Sequence, residues 1–131
     1  MANGTIAFDT LSTSGQISGT AKSLDTDYLA YGSAKAWHRL GDGTGTIVTR
    51  DSFNVSGFTD GGVGLYTVTI NNNMSNNLYG VVQGELDWRT TGITDEAAIT
   101  TADYDMTSRS PATAAALDAV THTSSVLGDL A

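Results

Sequence analysis

The chain has 131 residues, a formal charge of −8 and no cysteine. Its length favours one domain, and its acidic charge would repel the phosphate backbone of a nucleic acid. The absence of cysteine excludes disulfides and thiolate metal sites, which suits assembly in a reducing cytosol. No apolar run is long enough for a membrane span, and the first residues have neither a basic start nor an apolar signal core. We therefore expect neither nucleic acid nor a membrane as a partner.

The first 33 residues carry few apolar side chains. Ile6, Phe8, Leu11 and Ile17 stand far apart among Gly, Ser and Thr. Because so sparse a set cannot form a packed unit alone, we expect residues 1–33 to be an extended arm. Such an arm would bury its apolar side chains against its own domain or a neighbouring subunit. Ile6, Phe8 and Leu11 are therefore predicted subunit-interface residues.

From residue 34 onward, short runs rich in β-branched and aromatic residues alternate with turn formers. These runs cover residues 34–40, 47–55, 65–70 and 78–82, and Gly, Asp and Asn separate them. The pattern is typical of an antiparallel all-β domain. The two-residue period of a strand predicts one shared face for Tyr66, Val68 and Ile70. It also predicts that Phe53 and Val55 continue the face of Ile47.

The later part of the chain has a less regular pattern. Residues 81–88 are typical of a strand that leads into a loop over 89–93, and residues 94–105 are acidic without a clear period. Residues 110–119 favour either a short helix begun by a Ser-Pro pair or a loop, and the sequence leaves both open. Strong β-propensity over residues 121–127 predicts a last strand.

Five sequence blocks stand in an order that carries a family resemblance. They are Ala34-Lys-Ala-Trp37, Gly43-Thr-Gly-Thr-Ile47, Arg50-Asp-Ser-Phe-Asn-Val55, Leu65-Tyr-Thr-Val68 and Gly128-Asp-Leu-Ala131. Together they resemble a widespread family of small bacteriophage virion proteins, common in marine phages. That family is similar to fibre or decoration components of the particle, and its β-rich domains tend to trimerise. After the Trp, this chain has His38 and Arg39 where the family has an apolar residue and a small polar one.

The predicted fold is an antiparallel β-sandwich or jelly-roll-like domain over residues 34–131, preceded by the arm. The resemblance implies a homotrimer in the virion, assembled in the cytoplasm of the host bacterium. It implies a capsid decoration or cement protein that contacts the major capsid protein. The chain is short for a fibre, which needs a shaft and an attachment domain, but a tail-fibre knob that recognises a host glycan is the alternative. We expect no enzymatic activity and no cofactor.

Two Gly-rich stretches resemble ligand-binding loops but favour turns. Residues 41–45 would need a helix directly afterwards to bind phosphate, and a strand pattern follows instead. An Asp-Gly hairpin turn is therefore favoured there. Residues 60–64 resemble a calcium-binding repeat, but Tyr66 stands where the ligand Asp is required, so a turn is favoured again.

Four carboxylates in one acidic segment, Asp95, Glu96, Asp103 and Asp105, are candidate calcium ligands. Their spacing matches no EF-hand loop, so the sequence favours a solvated acidic surface. The two histidines, His38 and His122, stand alone in their strands. Neither a two-His metal pair nor a Ser-His-Asp group follows from that spacing.

Aromatic residues supply the remaining candidates. Trp37 is predicted to be a core or interface residue, since large aromatics dominate both environments. His38, on the same strand, is a predicted interface residue. Trp88 and Tyr104 are candidates for stacking on a glycan in the tail-fibre alternative.

Overall fold

The computed structural model describes residues 17–18, 23–24, 31–41, 48–85, 89–118 and 121–131. The elements that lie fully within these ranges are β-strands and a short 3-10 helix, and no helix among the described residues is long and apolar enough to cross a membrane. The strands are β1 (Ile17–Ser18), β2 (Ser23–Leu24), β3 (Ala34–Leu40), β4 (Thr49–Phe53), β5 (Val55–Gly62), β6 (Leu65–Ile70), β7 (Gly80–Glu85), β8 (Thr90–Ile93), β9 (Asp103–Arg109) and β10 (His122–Leu127), and the 3-10 helix covers Glu96–Ala98.

Two four-stranded antiparallel sheets make up most of the described structure. The first sheet has the order β4-β3-β10-β7, and the second sheet has the order β5-β6-β9-β8. Strands β1 and β2 pair separately as a short antiparallel ladder. The predicted all-β fold is confirmed, and the two sheets are consistent with a β-sandwich. The predicted interface residues of the arm, Ile6, Phe8 and Leu11, lie outside the described residues.

One apolar cluster joins the two sheets. Its buried members are Ala36, Leu40 and Val126 from the first sheet, Tyr66, Val68, Ile70, Tyr104 and Met106 from the second sheet, and Met74 and Tyr79 from the connection between β6 and β7. The shared face predicted for β6 is confirmed, since its buried residues alternate with half-buried Leu65, Thr67 and Thr69. Fully burying a large apolar side chain stabilises a fold by roughly 1.5–3 kcal/mol, so this cluster is the main apolar contribution to stability.

The run predicted as one strand over residues 47–55 breaks at Asn54. This residue has a φ of 54°, in the left-handed region, and the chain passes there from β4 in the first sheet to β5 in the second. Its side-chain Nδ2 donates to the carbonyl oxygens of Lys35 (2.9 Å) and Asn72 (3.2 Å), and its Oδ1 accepts from the Asn72 amide (2.8 Å). Asn tolerates this backbone conformation better than most residues because its short side chain bonds locally.

The change of sheet at Asn54 overturns one predicted face. Phe53 is exposed on the first sheet, while Val55 packs against the apolar cluster from the second. These two side chains therefore do not continue one face, because the period of two holds only within an unbroken strand. Ile47, the third member of that prediction, lies outside the described residues.

Gly41 begins the connection between β3 and β4, and residues 60–64 lie at the end of the β5–β6 hairpin, where a turn was predicted. The amide of Gly41 donates to the carbonyl of Val48 (2.8 Å), which closes the antiparallel pair β3–β4. Residues 42–47 of that connection lie outside the described ranges. In the second hairpin, β5 extends to Gly62, and the Asp60 carboxylate accepts from the Gly62 amide (2.8 Å) before the turn into β6.

The later part of the chain departs from the prediction in one strand. Thr90–Ile93, predicted as a loop, forms β8, because it pairs along β9 from Arg109 to Met106. Residues 111–118 are turns and irregular structure rather than a helix, with Ala114 at a φ of 57°. The predicted last strand is confirmed as β10, and it lies in the middle of the first sheet between β3 and β7.

A pair of substitutions at Asn54 separates backbone strain from side-chain bonding. Asn54→Gly and Asn54→Ala both lose the side-chain hydrogen bonds, at a cost of about 1–3 kcal/mol. Only Ala adds a Cβ penalty at this φ, so we expect Ala to lower the free energy of unfolding by about 1 kcal/mol more than Gly. Urea unfolding measures the difference, with exposed Asn73→Ala as control. Equal midpoints for the two Asn54 variants would show that the corner is unstrained.

Candidate functional site

The first sheet carries large apolar side chains on its solvent side. Trp37 pairs with Phe53 on one neighbouring strand and with Ser125 on the other, and Ser125 pairs in turn with Val82. We call this row of four residues, which crosses the whole sheet, the outer face. Phe53 is 54% exposed and Val82 is 60% exposed, while Trp37 is half-buried.

Charged side chains border the outer face along β3 and β4. Arg39 stands opposite Asp51 in the ladder, and both are exposed. Lys35, two residues before Trp37, donates to the Ser33 hydroxyl (2.8 Å). An exposed aromatic and aliphatic row with a charged border has the chemistry of a protein-protein contact surface. Trp37 therefore remains a predicted subunit-interface residue.

The opposite, inward side of the same sheet is partly polar. His38, His122 and Ser124 are each at most 3% exposed, and Tyr104 of the second sheet is completely buried against them. We call these four residues the buried polar network. Antiparallel strands usually place apolar side chains inward and polar ones outward. The first sheet reverses this rule at its centre, where histidines and a serine face inward and Trp37 faces outward.

Short contacts connect the buried polar network. The Ser124 hydroxyl lies 2.5 Å from the Tyr104 hydroxyl and 3.0 Å from Nδ1 of His38. Nε2 of His38 lies 3.4 Å from Nδ1 of His122, and the two rings stack with their centroids 5.6 Å apart. The Phe58 ring also contacts the His38 ring edge-on, with the two ring centroids 5.1 Å apart. These contacts form a continuous chain from Tyr104 through Ser124 and His38 to His122.

Burial determines the protonation of this network. Desolvation, with a smaller contribution from the nearby His122, lowers the pKa of His38 to about 3. Desolvation alone lowers the pKa of His122 to about 4. Desolvation raises the pKa of Tyr104 to about 12, against an opposing effect of its bond to Ser124. Both imidazoles and the phenol are therefore neutral at pH 7.

Strand β7 adds further polar side chains to the interior. The Glu85 carboxylate accepts from the buried Ser108 hydroxyl at 3.1 and 3.2 Å and lies 4.0 Å from Nε of Arg89. Both amide atoms of Gln83 are buried without a hydrogen-bond partner, and so is Nε2 of His122. A buried polar group without a partner costs about 1–3 kcal/mol. A partner for any of these three atoms would therefore stabilise the interior.

The structure corrects two of the predicted site residues. Tyr104 faces the interior of the sandwich and is completely buried, so it cannot stack on a glycan in solvent. His38 is 1% exposed inside the same sandwich, so it does not lie on a surface that another subunit could reach. Trp88, the other glycan candidate, lies outside the described residues.

The acidic segment does not bring its carboxylates together. Asp95 accepts from the Ala98 amide (3.0 Å) at the start of the 3-10 helix. Asp103 accepts from the Thr100 hydroxyl and Asp105 from the Thr67 hydroxyl, each at 2.6 Å. Within the described parts of the chain, no three His, Cys, Asp or Glu side chains are grouped to hold a metal ion. An open cavity of about 530 Å³ is lined by Asn77, Asp95, Glu96 and Ala97.

Sequence reasoning missed the convergence of His38, His122 and Ser124. The period of two does place His38 on the face of Ala36, and the same rule places Ser124 on the face of Val126. This alternation along each strand was the one sequence signal that His38 and Ser124 would face the interior. The pairing of His38 with Ser124 depends on the β3–β10 register, and residues this far apart in sequence give no local signal for it.

The buried histidines predict a loss of stability in mild acid. Both pKa values lie below the ordinary 6.5 of the unfolded chain, so the unfolded chain takes up protons first as the pH falls. The stability present above pH 6.5 should therefore decline toward pH 4, by at most about 1.4 kcal/mol per pH unit for each His.

Urea unfolding between pH 6.5 and 5 tests this, because most carboxylates are still ionised there. His122→Asn should reduce the slope, since Asn can replace Nδ1 without titrating. NMR signals of the native imidazoles should stay at their neutral positions down to about pH 5. Titration of both rings near 6.5 would show that they are solvated.

Comparison with known proteins gave no match of any kind. No family model, no curated protein and no solved structure matched the chain.

Proposed function

We propose that the chain is a structural protein of a bacteriophage virion, in particular a capsid decoration or cement protein. The ordered sequence blocks support this role, and three of the five coincide with structural parts of the sandwich. One block begins β3, another begins β6, and the C-terminal block reaches Leu130, which bridges to buried Met74. The resemblance therefore involves residues that build the core of the domain.

The observation that carries the proposal is the outer face. Phe53 and Val82 are each more than half exposed on either side of Trp37, on a sheet whose interior is partly polar. A sheet that faces water on one side normally keeps its large apolar residues inside. An assembly that covers the outer face would therefore bury apolar surface that water now contacts, which favours association.

The proposed partners are two further copies of this chain and the major capsid protein. A homotrimer would use the outer face, with the arm of residues 1–33 as a second contact. We propose no external substrate, no cofactor and a location in the virion. The alternative is a tail-fibre knob, in which a surface outside the outer face would bind a host glycan.

A matched pair of charge substitutions tests the outer face. Val82→Glu places a carboxylate in the row, whereas Val63→Glu places one at a residue that is equally exposed, at 62%, but lies in the β5–β6 turn. Burying an unpaired charge is costly, so we expect Val82→Glu to dissociate the oligomer and Val63→Glu to preserve it. Light scattering at micromolar concentration measures the mass. Equal masses for both variants would exclude the outer face as the contact.

Copy number distinguishes a decoration protein from a fibre knob. A decoration protein occupies repeated positions on an icosahedral shell, so we expect about as many copies as of the major capsid protein. A knob is limited by the few attachment points of one tail. Quantitative mass spectrometry of purified virions, with heads and tails separated, gives the ratio. A few copies that travel with tails would favour the knob.

A further inference from the structure

Ser124 and Gln83 occupy directly opposite positions on β10 and β7, and both face the interior. We propose that the Ser124 hydroxyl and the Gln83 carboxamide condense to an intramolecular ester that crosslinks the two strands. The reaction goes beyond the virion role and does not depend on it. Four features of the site support the proposal: a nucleophile, a base, a group that orients the base, and a buried amide without a partner.

The nucleophile and its base are already in contact. Nδ1 of His38 lies 3.0 Å from the Ser124 hydroxyl, within reach for proton transfer. Nε2 of the same ring lies 3.4 Å from Nδ1 of His122, which can accept a hydrogen bond from it and so keep the proton of His38 on Nε2. Tyr104 then donates to Ser124, and Ser124 donates to His38. Catalytic nucleophiles require this order of a hydroxyl, a base and an orienting group.

The electrophile lies across the ladder. Opposite residues of an antiparallel pair have Cβ atoms about 4.5–5.5 Å apart, so rotation of the Gln83 side chain can bring its carbonyl carbon to the Ser124 oxygen. With the tautomers described above, Nε2 of His122 carries a proton and has no partner. His122 is a diagonal neighbour of Gln83 on the same inward face. It can therefore donate to the carbonyl oxygen as negative charge develops there.

The atoms balance without an oxidant or a co-reactant. The Ser124 oxygen bonds to the Gln83 carbonyl carbon while its proton moves to His38. The tetrahedral intermediate then expels the amide nitrogen, which takes that proton and leaves as ammonia. The product is an ester that joins the two side chains. The low basicity of the buried His38 makes the step slow, but one event per chain suffices, and the fixed geometry compensates with a high effective concentration.

The crosslink would have a structural benefit in this chain. Among the described strands, β7 is at the edge of the first sheet, and β10 is its one ladder neighbour. An ester between residues 83 and 124 would tie this edge strand to the centre of the sheet in a protein that has no cysteine. Closing a loop of that length restricts the unfolded chain as a disulfide does. It would also remove one unpartnered amide from the interior.

Intact-mass spectrometry of the natural protein, folded and incubated at pH 7–8 for days, tests the proposal. We expect a mass about 17 Da below that of the sequence, because ammonia leaves. After trypsin, residues 51–89 and 110–131 should remain joined, and hydroxylamine should separate them. Ser124→Ala should keep the full mass. Ser125→Ala changes the adjacent residue, which faces outward, and this variant should still lose the mass of ammonia.

Several outcomes would overturn the ester. The full sequence mass in the natural protein would exclude it. A loss that persists in Ser124→Ala would also exclude it, since the Asn3-Gly4 pair can lose ammonia by cyclising on its own. In that case, the tryptic peptide that has lost ammonia would be residues 1–22. Because none of these measurements involves virions, failure of the ester leaves the proposed function standing, and failure of the virion role leaves the ester standing.

Discussion

The pairing of β3 with β10 is the constraint on which the rest of the structure depends. It is the central pair of the first sheet, and its register places His38 directly opposite Ser124. A shift of one residue would turn every side chain of β10 to the other face. Val126 would then leave the apolar cluster, and Ser125 would replace Ser124 beside Tyr104. The apolar cluster and the buried polar network therefore require the same register.

The buried polar network makes this register specific at a cost in stability. Apolar side chains of similar size would pack in many arrangements, whereas His38 finds its partners only where Ser124 and Tyr104 meet it. An interior hydrogen bond contributes about 1 kcal/mol net, but an unpartnered buried group loses more than that. The buried atoms of Gln83 and His122 that lack a hydrogen-bond partner lie next to this network. Polar interiors of this kind can favour one arrangement over the alternatives more than they add stability.

Sequence reasoning recovered what depends on local pattern and missed what depends on distant contacts. The strands at residues 34–40 and 65–70 follow from composition and flanking turns, and their bounds agree with β3 and β6. β8 was missed because Thr90–Ile93 is a strand only by virtue of its neighbour β9. The corner at Asn54 was missed because the β-type pattern runs through it, although Asn is among the residues that tolerate a positive φ. The histidine contact depends on register, which no local rule supplies.

The reversed polarity of the first sheet connects the interior to the proposed assembly. An isolated sandwich gains most when its sheets bury their apolar sides against each other. Here the centre of the first sheet buries two neutral histidines and presents Trp37 and Phe53 outward. If a second surface covers that outer side, the first sheet becomes an internal layer that is dry on both faces. Polar residues inside and apolar residues outside would then be compatible, because the proposed assembly, rather than the single chain, would be the unit that excludes water.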